Sequence, residues 1–247
     1  MARLKHAVPD LNSIAATGVD AIDWAMVDRD LDVSGSAVLK QLVSPDTCRM
    51  LASLYPDDRH FRSRVVMARH GFGRGEYKYF SYPLPDPIAE LRPRIYSHLV
   101  AIANRWNATM GIDVRYPAEH DDFLARCHQA GQVRPTPLLL QYVDGDYNCL
   151  HQDLYGEHVF PLQVAILLSE PGRDFDGGEF VLTEQRPRMQ SRAEVVPLRQ
   201  GDAVVFAVHN RPVQGTRGSY RVNMRHGVSR LRSGRRHTLG VIFHDAK

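Results

Sequence analysis

The sequence contains little cysteine and no long apolar run, and both absences narrow what the protein can be. Its three cysteines (Cys48, Cys127 and Cys149) are irregularly spaced, which argues against a disulfide framework and favours a reducing compartment. Cys149 is expected to be a packed thiol on the same strand face as His151. No apolar run approaches the roughly 20 residues needed to cross a bilayer, and the N-terminus leads into no apolar signal core. We therefore expect a cytoplasmic protein without a membrane partner.

Neither sign of charge dominates, because 31 basic and 28 acidic residues leave a formal net charge of only +3. A length of 247 residues, 43% of them hydrophobic and 24% charged, is ordinary for a soluble globular protein with one sizeable core. Arginines nevertheless crowd one C-terminal stretch with almost no acid among them: Arg211, Arg217, Arg221, Arg225, Arg230, Arg232, Arg235 and Arg236. Such a stretch can attract a polyanion such as nucleic acid. It can equally be a solvated basic face, and the sequence leaves both open.

The first half of the chain predicts helices around one early strand. Residues 35–43 are typical of a strand, and Ser44-Pro45-Asp46 predicts a helix that ends at Pro56, because serine caps the first turn and proline fits the first helical position. Apolar residues at spacings of three and four then predict a long amphipathic helix: Ile88, Leu91, Ile95, Leu99, Ile102 and Trp106. Pro93 falls inside this pattern and predicts a helix start or a kink there. Residues 117–130 predict another helix, and residues 1–32 a short element packed on the body.

The second half changes to short β-rich runs separated by glycine, proline and aspartate turns. The runs cover residues 136–143, 162–169, 179–182, 194–198, 203–208, 221–226 and 237–244. Many short strands at such spacing indicate a sandwich or barrel. No internal repeat or linker divides the chain, so we predict one domain over residues 1–247. Residues 1–135 form its mainly helical support region with an early strand, and residues 136–247 form its β core.

Residues 60–80 are basic and aromatic. The cluster Gly71-Phe72-Gly73-Arg74-Gly75 lacks the strand-then-helix context of a phosphate-binding loop, so a flexible turn is expected. Arg74, Tyr77 and Tyr79 are candidate substrate-binding residues at the lip of a site. An edge strand with alternating aromatic residues explains Tyr77 and Tyr79 at least as well.

His151-Gln152-Asp153 is the candidate start of a metal site. Side chains at positions i and i+2 of a strand point the same way, so His151 and Asp153 can bind one metal ion. A second His-x-Asp match, His120-Asp121-Asp122, lies in a stretch predicted to be helical, where i and i+2 do not share a face. His151 instead follows a predicted strand, turn and strand. Two histidines and one carboxylate on one face of an octahedron are typical of non-haem Fe(II) oxygenases.

The third ligand must come from elsewhere in the chain. We favour His226, which ends a β-rich run, over His209, which follows the run at residues 203–208. A turn after His226 leads into a new strand that carries Arg236 and Thr238, and a hairpin of that length can bring Arg236 beside the metal pocket. Its planar guanidinium can hold a carboxylate through two hydrogen bonds, with the Thr238 hydroxyl as a further donor. Arg217 and Arg235 are the alternatives for this role.

The order of these motifs resembles the Fe(II)/2-oxoglutarate-dependent dioxygenases over roughly residues 136–245. The residues that carry the resemblance are Tyr142, Gly145, His151-x-Asp153, Asp176-Gly177-Gly178-Glu179-Phe180, Gly201-Asp202-Ala203-Val204-Val205-Phe206, His226 and Arg236-x-Thr238-Leu239. The spacing from His226 to Arg236 is similar to prolyl-hydroxylase-type members. His151-Gln152-Asp153 resembles the AlkB-type demethylases, but their second arginine would fall at Ile242. The C-terminal half is most similar to bacterial oxygenases described as acting on damaged DNA.

The resemblance implies an α+β protein whose core is a double-stranded β-helix, a cupin-like jelly roll, with packed N-terminal helices. It implies Fe(II) held by His151, Asp153 and His226, and 2-oxoglutarate as cosubstrate with O2, with ascorbate as a reductant. Arg236 would bind the far carboxylate of 2-oxoglutarate, aided by Thr238, Tyr142 and Tyr147. The reaction would hydroxylate a substrate C–H bond and release succinate and CO2.

The substrate stays open at this point. Oxidative demethylation of alkylated nucleic acid and hydroxylation of a protein (prolyl-type) or a small molecule both fit the motifs. A non-catalytic jelly-roll binding protein is a further alternative, and so is a cupin-type isomerase or hydrolase, although such enzymes use more histidines and need no carboxylate-binding arginine. The sequence predicts no oligomeric state.

Overall fold

The computed structural model of the protein describes residues 18–154, 156–216 and 218–247. Residues 1–17, which belong to the short element expected over residues 1–32, lie outside the described residues, and so does Arg217. The described part contains the helices α1 (Trp24–Ser34), α2 (Pro45–Ser53), α3 (Asp86–Thr109) and α4 (His120–Gln129). Two single turns of 3-10 helix lie at Asp58–His60 and Met67–Arg69.

The start of α2 follows from its capping residues. The Ser44 hydroxyl accepts a hydrogen bond from the Thr47 amide at 3.1 Å, and Pro45 occupies the first helical position, where no backbone donor is needed. The helix ends at Ser53, shortly before Pro56. The predicted helix start and stop are therefore confirmed to within a few residues.

Of the two outcomes predicted for Pro93, a helix start there is wrong. Helix α3 begins at Asp86 and continues through Pro93 for 24 residues. A proline inside a helix removes one backbone hydrogen bond and crowds the preceding turn. One whole face of α3 is buried in the core, and the free energy of burying that apolar face offsets the local loss.

The strands of the described part form two antiparallel sheets. In chain order they are β1 (Ser36–Leu39), β2 (Phe61–Val66), β3 (Gly73–Arg74), β4 (Glu76–Phe80), β5 (Leu138–Val143), β6 (Tyr147–His151), β7 (Leu162–Leu167), β8 (Phe175–Gly177), β9 (Phe180–Gln185), β10 (Arg192–Val196), β11 (Ala203–Ala207), β12 (Asn210–Gly215), β13 (Gly218–Val228) and β14 (Leu231–Val241). The major sheet has the order β1-β11-β7-β14-β5-β4-β2, with β8 beside β14. The minor sheet has the order β10-β9-β13-β6-β3, with β12 beside β13.

The two faces of the major sheet have different neighbours. Alternate residues of β7 and β14, such as Val164, Ile166 and Val241, join the large apolar core that also contains the buried face of α3. The intervening residues of the same strands point to the minor sheet and line a cavity. Because side chains alternate along a strand, one sheet anchors the helices with one face and builds the site with the other.

A buried ion pair fastens the C-terminal end of the chain to the helices. Arg92 in α3 donates to Asp245 at 2.8 Å and to the backbone carbonyl of Ile242 at 2.8 Å. Tyr82 and His128 also bond to the Asp245 carboxylate, each at 2.9 Å. A buried charge of this kind is stable only when its partners are complete, and this network keeps the end of β14 in register beneath the helices.

The architecture is that of an α+β double-stranded β-helix with helices packed from the N-terminal half, as predicted. The glycine cluster expected as a turn contributes β3 instead, in which Gly73 and Arg74 pair with Asn148 and Tyr147. The predicted strand with alternating aromatic residues is confirmed as β4, but its predicted edge position is wrong, because β4 pairs with β2 on one side and with β5 on the other. In the described part of the chain, no helix combines the length and apolar character that crossing a bilayer requires.

Candidate functional site

A cavity of about 260 Å³ lies between the two sheets. Its floor is the inner face of the major sheet, where paired residues form successive rows across the strands. Arg236 lies opposite Tyr142, and Thr238 lies opposite Leu140 and Leu167. In the next row Gly240 lies opposite Ala165, and in the row after that Gln163 of β7 lies opposite Phe206 of β11. The minor sheet forms the roof.

The roof of the cavity brings His151, Asp153 and His226 together. His226 in β13 is the direct cross-strand partner of His151 in β6, and the ligand atoms of all three side chains lie within 4.8 Å of one another. The Asp153 carboxylate is 3.4 Å from the Nε2 atom of each histidine. Asp153 and His226 are buried, whereas His151 is partly exposed. Such a set can bind one divalent metal ion and leave positions open on the cavity side.

A hydrogen bond orients His151, and packing against aromatic rings orients His226. The Nδ1–H of His151 donates to the Cys149 carbonyl at 2.8 Å, which leaves Nε2 as the lone pair that faces Asp153. The ring of His226 packs against Phe206 and Phe180, at centroid distances of 4.6 and 6.1 Å. Burial lowers the pKa of His226, so this histidine is held neutral, as a metal ligand must be. Burial would raise the pKa of Asp153, but its hydrogen bonds with His151 and His226 outweigh burial and hold that pKa well below the usual range.

The competing histidine motifs lie elsewhere. His120 is the first residue of α4, and its Nε2–H donates to the Phe243 carbonyl at 2.8 Å. Asp121 and Asp122 are exposed, so they do not join it. His209 lies in the turn before β12 and contacts the Asn210 side chain at 3.3 Å. Among the residues that the structure describes, His151, Asp153 and His226 are the one group that could hold a metal ion.

Arg236 lies at the other end of the cavity floor. It is 2% exposed and donates to the Thr238 hydroxyl at 2.6 Å. The rings of Tyr142 and Phe175 lie 5.6 and 5.9 Å from its guanidinium carbon. Within the described residues it forms no ion pair, and its Nε has no hydrogen-bond partner. Burial lowers the pKa of Arg236 to about 10, because a guanidinium without water or a carboxylate is poorly solvated.

Tyr142 is fully buried beside Arg236, and its hydroxyl has no hydrogen-bond partner within the described residues. Burial raises the pKa of Tyr142, although the charge of Arg236 and, less strongly, the Asn148 side chain oppose this rise. A neutral phenol at this position can donate a hydrogen bond to an anion held by Arg236. The structure therefore brings together Arg236, Thr238 and Tyr142 as a polar end of an otherwise apolar cavity.

Tyr147 is not part of this group. It is 37% exposed, and the cavity lining contains Asn148 instead. The reason is an irregularity in the pairing of β6 with β13, between the partners of His226 and Val228. A β-bulge of this kind shifts the alternation of side chains by one residue, so Asn148 and His151 both face the cavity. The same shift leaves Cys149 exposed, which corrects the expectation of a packed thiol.

The candidate substrate residues are divided by the structure. Tyr77 and Tyr79 line the cavity near its mouth, with their rings 5.4 Å apart and perpendicular. Arg74 lies outside the lining, where its side chain is 62% exposed and 3.9 Å from Asp146. Phe72 was missed by the sequence analysis. It lines the mouth while 47% exposed, and its carbonyl accepts a hydrogen bond from the Cys149 amide at 2.9 Å, which ties its loop to the metal-binding strand.

The arginine-rich stretch does not form one continuous face. Arg211 is 1% exposed, and it is paired with Glu184 and donates to the backbone carbonyls of Asp32 and Val33 at the end of α1. Arg236 is buried in the site. The exposed members are Arg221, Arg225, Arg230, Arg232 and Arg235. The expected patch is therefore smaller, because strand alternation turns part of the stretch inward.

Gln163 is a further cavity residue that sequence reasoning missed. It lies in β7, within a run whose other members are apolar, and its side chain faces the cavity. The signal that could have found it is one amide at an inward position of a buried strand, since a polar group there needs a partner.

Solved structures with the same fold support this description of the architecture. A prolyl-4-hydroxylase of Pseudomonas putida is similar with a TM-score of 0.52 at 15% identity, covering 91% of this chain and 99% of that one. An oxidoreductase of the 2OG-Fe(II) oxygenase family from Burkholderia pseudomallei gives a TM-score of 0.54 at 16% identity, covering 92% and 94% of the two chains. At identities this low, the structural similarity shows a shared fold.

Sequence comparison identifies the family. Uncharacterized protein Rv2227 of Mycobacterium tuberculosis strain H37Rv is 51% identical over 167 residues, which cover 68% of this chain and 72% of the relative. The same values hold for uncharacterized protein MT2286 of strain CDC 1551. The model of a family named Oxygenase-NA, described as an oxygenase catalysing oxidative methylation of damaged DNA, matches residues 75–246. That match includes the metal-binding group and Arg236, and the chain belongs to this oxygenase family.

Proposed function

We propose that the protein is an Fe(II)- and 2-oxoglutarate-dependent dioxygenase that hydroxylates a C–H bond and releases succinate and CO2. The observation that carries this proposal is Arg236, a buried cation without an acidic partner in the described part of the chain, in the same cavity as the metal-binding group. A dicarboxylate that chelates the metal at one end and compensates this charge at the other fits the donor groups at both ends.

The residues of the chain divide the work of binding. His151, Asp153 and His226 would hold Fe(II), and the Nδ1–H bond from His151 to the Cys149 carbonyl keeps its Nε2 free to bind the ion on the side of Asp153. Arg236, Thr238 and Tyr142 would hold the far carboxylate of 2-oxoglutarate; Tyr147, exposed outside the cavity, is not included. Iron and 2-oxoglutarate, when bound, supply oxygen activation and oxidative decarboxylation. The apolar lining by residues such as Leu140, Ala165 and Val228 excludes water from the reacting groups.

Succinate release tests the reaction class. The protein with Fe(II), ascorbate, O2 and 2-oxoglutarate should produce succinate, and under anaerobic conditions Fe(II) and 2-oxoglutarate together should give a visible charge-transfer band. Asp153→Ala should lose both signals. Asp121→Ala, in the exposed competing motif, is the matched control and should keep them. A band of wild-type strength in Asp153→Ala would contradict the assignment of the metal site.

We propose that the substrate is alkylated nucleic acid and that the protein removes the alkyl group by oxidative demethylation. The family description names damaged DNA, and two features of the surface support a nucleic-acid partner. Exposed Arg221 and Arg225 follow the outer side of the metal-binding strand β13, and arginines bind phosphates. Phe72 at the mouth and Tyr79 on the floor of the cavity supply aromatic rings on which a base can stack.

Hydroxylation of a protein is the second candidate, because a structural neighbour is a prolyl-4-hydroxylase. Substrate-coupled succinate release separates the two. A single-stranded oligonucleotide treated with a methylating agent should stimulate release, and a proline-rich peptide should not. Binding of the oligonucleotide should weaken steeply between 50 and 200 mM salt. Arg225→Ser should reduce the slope relative to Arg49→Ser, an exposed arginine of α2 already paired with Asp46.

We also propose one oxygenase domain and a cytoplasmic location. The continuous apolar core shared by the helices and the major sheet supports the first. The three cysteines, all free, support a reducing compartment. Separate unfolding transitions for the two halves of the chain in calorimetry would contradict the single domain.

A further inference from the structure

Gln163 places an unpaired carboxamide inside the cavity. The residue is 5% exposed, and its Oε1 atom is fully buried without a hydrogen-bond partner in the described part of the chain. A buried amide left in this way is unfavourable unless a partner arrives. Its neighbours on the cavity floor, such as Ala165, Phe206 and Ile242, are apolar. A leucine would fill this position without that cost, so the amide needs an explanation.

The position of Gln163 separates it from the carboxylate-binding end. Along β14 the inward residues run from Arg236 through Thr238 and Gly240 to Ile242, a span of about 20 Å at roughly 3.3 Å per residue. In the antiparallel pair of β14 and β7, Thr238 lies opposite Leu167 and Gly240 lies opposite Ala165. Two residues further along, Gln163 therefore lies at the Ile242 end, where its partner in β11 is Phe206. The ring of Phe206 contacts the ring of His226 at 4.6 Å. Gln163 thus lies beside the metal-binding group, on the side away from Arg236.

The chemistry of a carboxamide indicates what it would bind. Its carbonyl accepts and its NH2 group donates in one plane, whichever way the group is turned. A planar edge with a donor beside an acceptor is its natural partner, and the edges of nucleobases have this pattern. Tyr79 in the neighbouring part of the floor and Phe72 at the mouth supply aromatic faces for the ring that carries such an edge.

We propose that Gln163 reads the base, that is, that its carboxamide hydrogen-bonds to the edge of the nucleobase that lies next to the metal. The inference rests on the proposed function and adds the specificity-determining residue. Gln163 touches no reacting atom in this role. Gln163 selects which base is held with the base's alkyl group beside the metal. Its buried amide atoms gain hydrogen-bond partners only when that base is present.

The test uses single-stranded oligonucleotides that each contain one type of methylated base, with the full-length Fe(II)-loaded protein. Gln163→Leu removes the hydrogen bonds at nearly the same volume, and Gln163→Asn keeps the amide but withdraws it by one methylene. Gln141→Leu is the matched control, because it makes the same change in β5 of the same sheet on the opposite face, where Gln141 contacts His237. Anaerobic 2-oxoglutarate binding and thermal unfolding are measured for every variant.

Wild-type protein should prefer one methylated base. Gln163→Leu should lower kcat/KM for that base at least about tenfold and leave the other bases nearly unchanged, so that the preference is lost. Gln163→Asn should lose part of the preference, and Gln141→Leu should keep it. The dissociation constant of 2-oxoglutarate should not change, because Arg236 and the metal are intact.

Three outcomes would overturn the inference. The base preference could survive in Gln163→Leu, or wild-type protein could act on all methylated bases equally. The dissociation constant of 2-oxoglutarate could rise in Gln163→Leu in step with the lost turnover, which would make the residue a cosubstrate contact. Failure of the proposed substrate looks different: wild-type protein would then release succinate with a peptide, or without any stimulation by methylated oligonucleotides.

Discussion

Arg236 shows how a binding residue can be held at a cost to stability. Its guanidinium is buried among Tyr142, Phe175 and Thr238. Tyr142 and, less strongly, Glu179 raise its pKa, and the Glu179 carboxylate already accepts a hydrogen bond from the Ser229 hydroxyl. Burial without a carboxylate lowers the pKa of Arg236 to about 10. A ligand carboxylate would supply the missing charge and restore that pKa toward its ordinary range. The unfavourable free energy of burying this charge is relieved when the cosubstrate binds, and this relief adds to the binding free energy.

Replacing Arg236 should therefore move stability and binding in opposite directions. Arg236→Met, which keeps the stem and removes the charge, should stabilise the ligand-free protein by about 1–3 kcal/mol. It should raise the dissociation constant of 2-oxoglutarate by at least about 30-fold, because a charge-assisted pair of hydrogen bonds is lost. Thermal unfolding and anaerobic titration measure the two effects. Arg235→Met, in the exposed neighbour, should change neither, and a less stable ligand-free Arg236→Met would contradict this account.

Individual site residues differed in how well the sequence could predict them. The i, i+2 rule applied to His151 and Asp153, whose ligand atoms the structure brings together with those of His226. It failed for Cys149, which is exposed, and the role that the family resemblance implied for Tyr147 is not supported by the exposed position of that residue. Both outcomes depend on the bulge in the pairing of β6 with β13, and pairing irregularities leave no mark in one strand's own sequence. Gln163 was missed for a related reason, because only the strand neighbours show that its amide is alone.

The turn after β8 is the element that closes over Arg236. Gly177 and Gly178 have φ values of +76° and +62°, a region that favours glycine. A Cβ atom on Gly178 would lie 2.5 Å from the Leu231 side chain and 3.1 Å from the Arg236 Cδ. Glycine is thus required in the Asp-Gly-Gly motif because Leu231 and Arg236 pack closely against its backbone. This packing holds the Arg236 side chain in place.

An alanine at this turn should displace Arg236 without touching the metal. Gly178→Ala should raise the dissociation constant of 2-oxoglutarate about tenfold or more, through Arg236, and leave Fe(II) affinity unchanged. Gly172→Ala is the control: its φ of +78° brings the same backbone strain, but a Cβ there meets nothing within 4 Å. Both variants should lose thermal stability from the backbone strain, and Gly178→Ala should lose more, because its Cβ also displaces the Leu231 side chain. Equal 2-oxoglutarate binding in the two variants would remove the proposed link between the turn and Arg236.

The secondary-structure elements were predictable where one local signal dominated. The Ser44 cap and the period of α3 predicted the helices correctly, and the β-rich runs at residues 203–208 and 237–244 predicted strands that overlap β11 and the end of β14. Strands β8 and β12 were not predicted, because β8 has three residues and β12 contains a proline, which ordinarily argues against a strand. Both pair with a long neighbour, β14 or β13, and long-range pairing of this kind cannot be read from a short window.

The molecule as a whole keeps several histidines neutral between the helices and the major sheet. Burial lowers the pKa of His120, His237 and His244 to about 4 in each case. Positive neighbours act in the same direction, Arg92 on His120 and His244 and Arg235 on His237. Asp245 raises the pKa of His120 and His244 without outweighing burial. These rings join the helical layer to the sheet, so their protonation is coupled to unfolding of the whole domain.

Stability should consequently fall as the pH drops from about 6.5 toward 4. In that window the unfolded chain binds protons at these histidines and the folded chain does not, so the free energy of unfolding decreases with falling pH. Each histidine should contribute roughly 2 kcal/mol of loss between pH 7 and pH 5. Urea unfolding of the metal-free protein at the two pH values measures the difference. His120→Gln, whose amide can still donate to the Phe243 carbonyl, should reduce the pH-dependent loss by about one histidine's share, whatever its effect on stability at pH 7. An unchanged difference between the two pH values in His120→Gln would show that His120 is protonated in the folded protein as readily as in the unfolded chain.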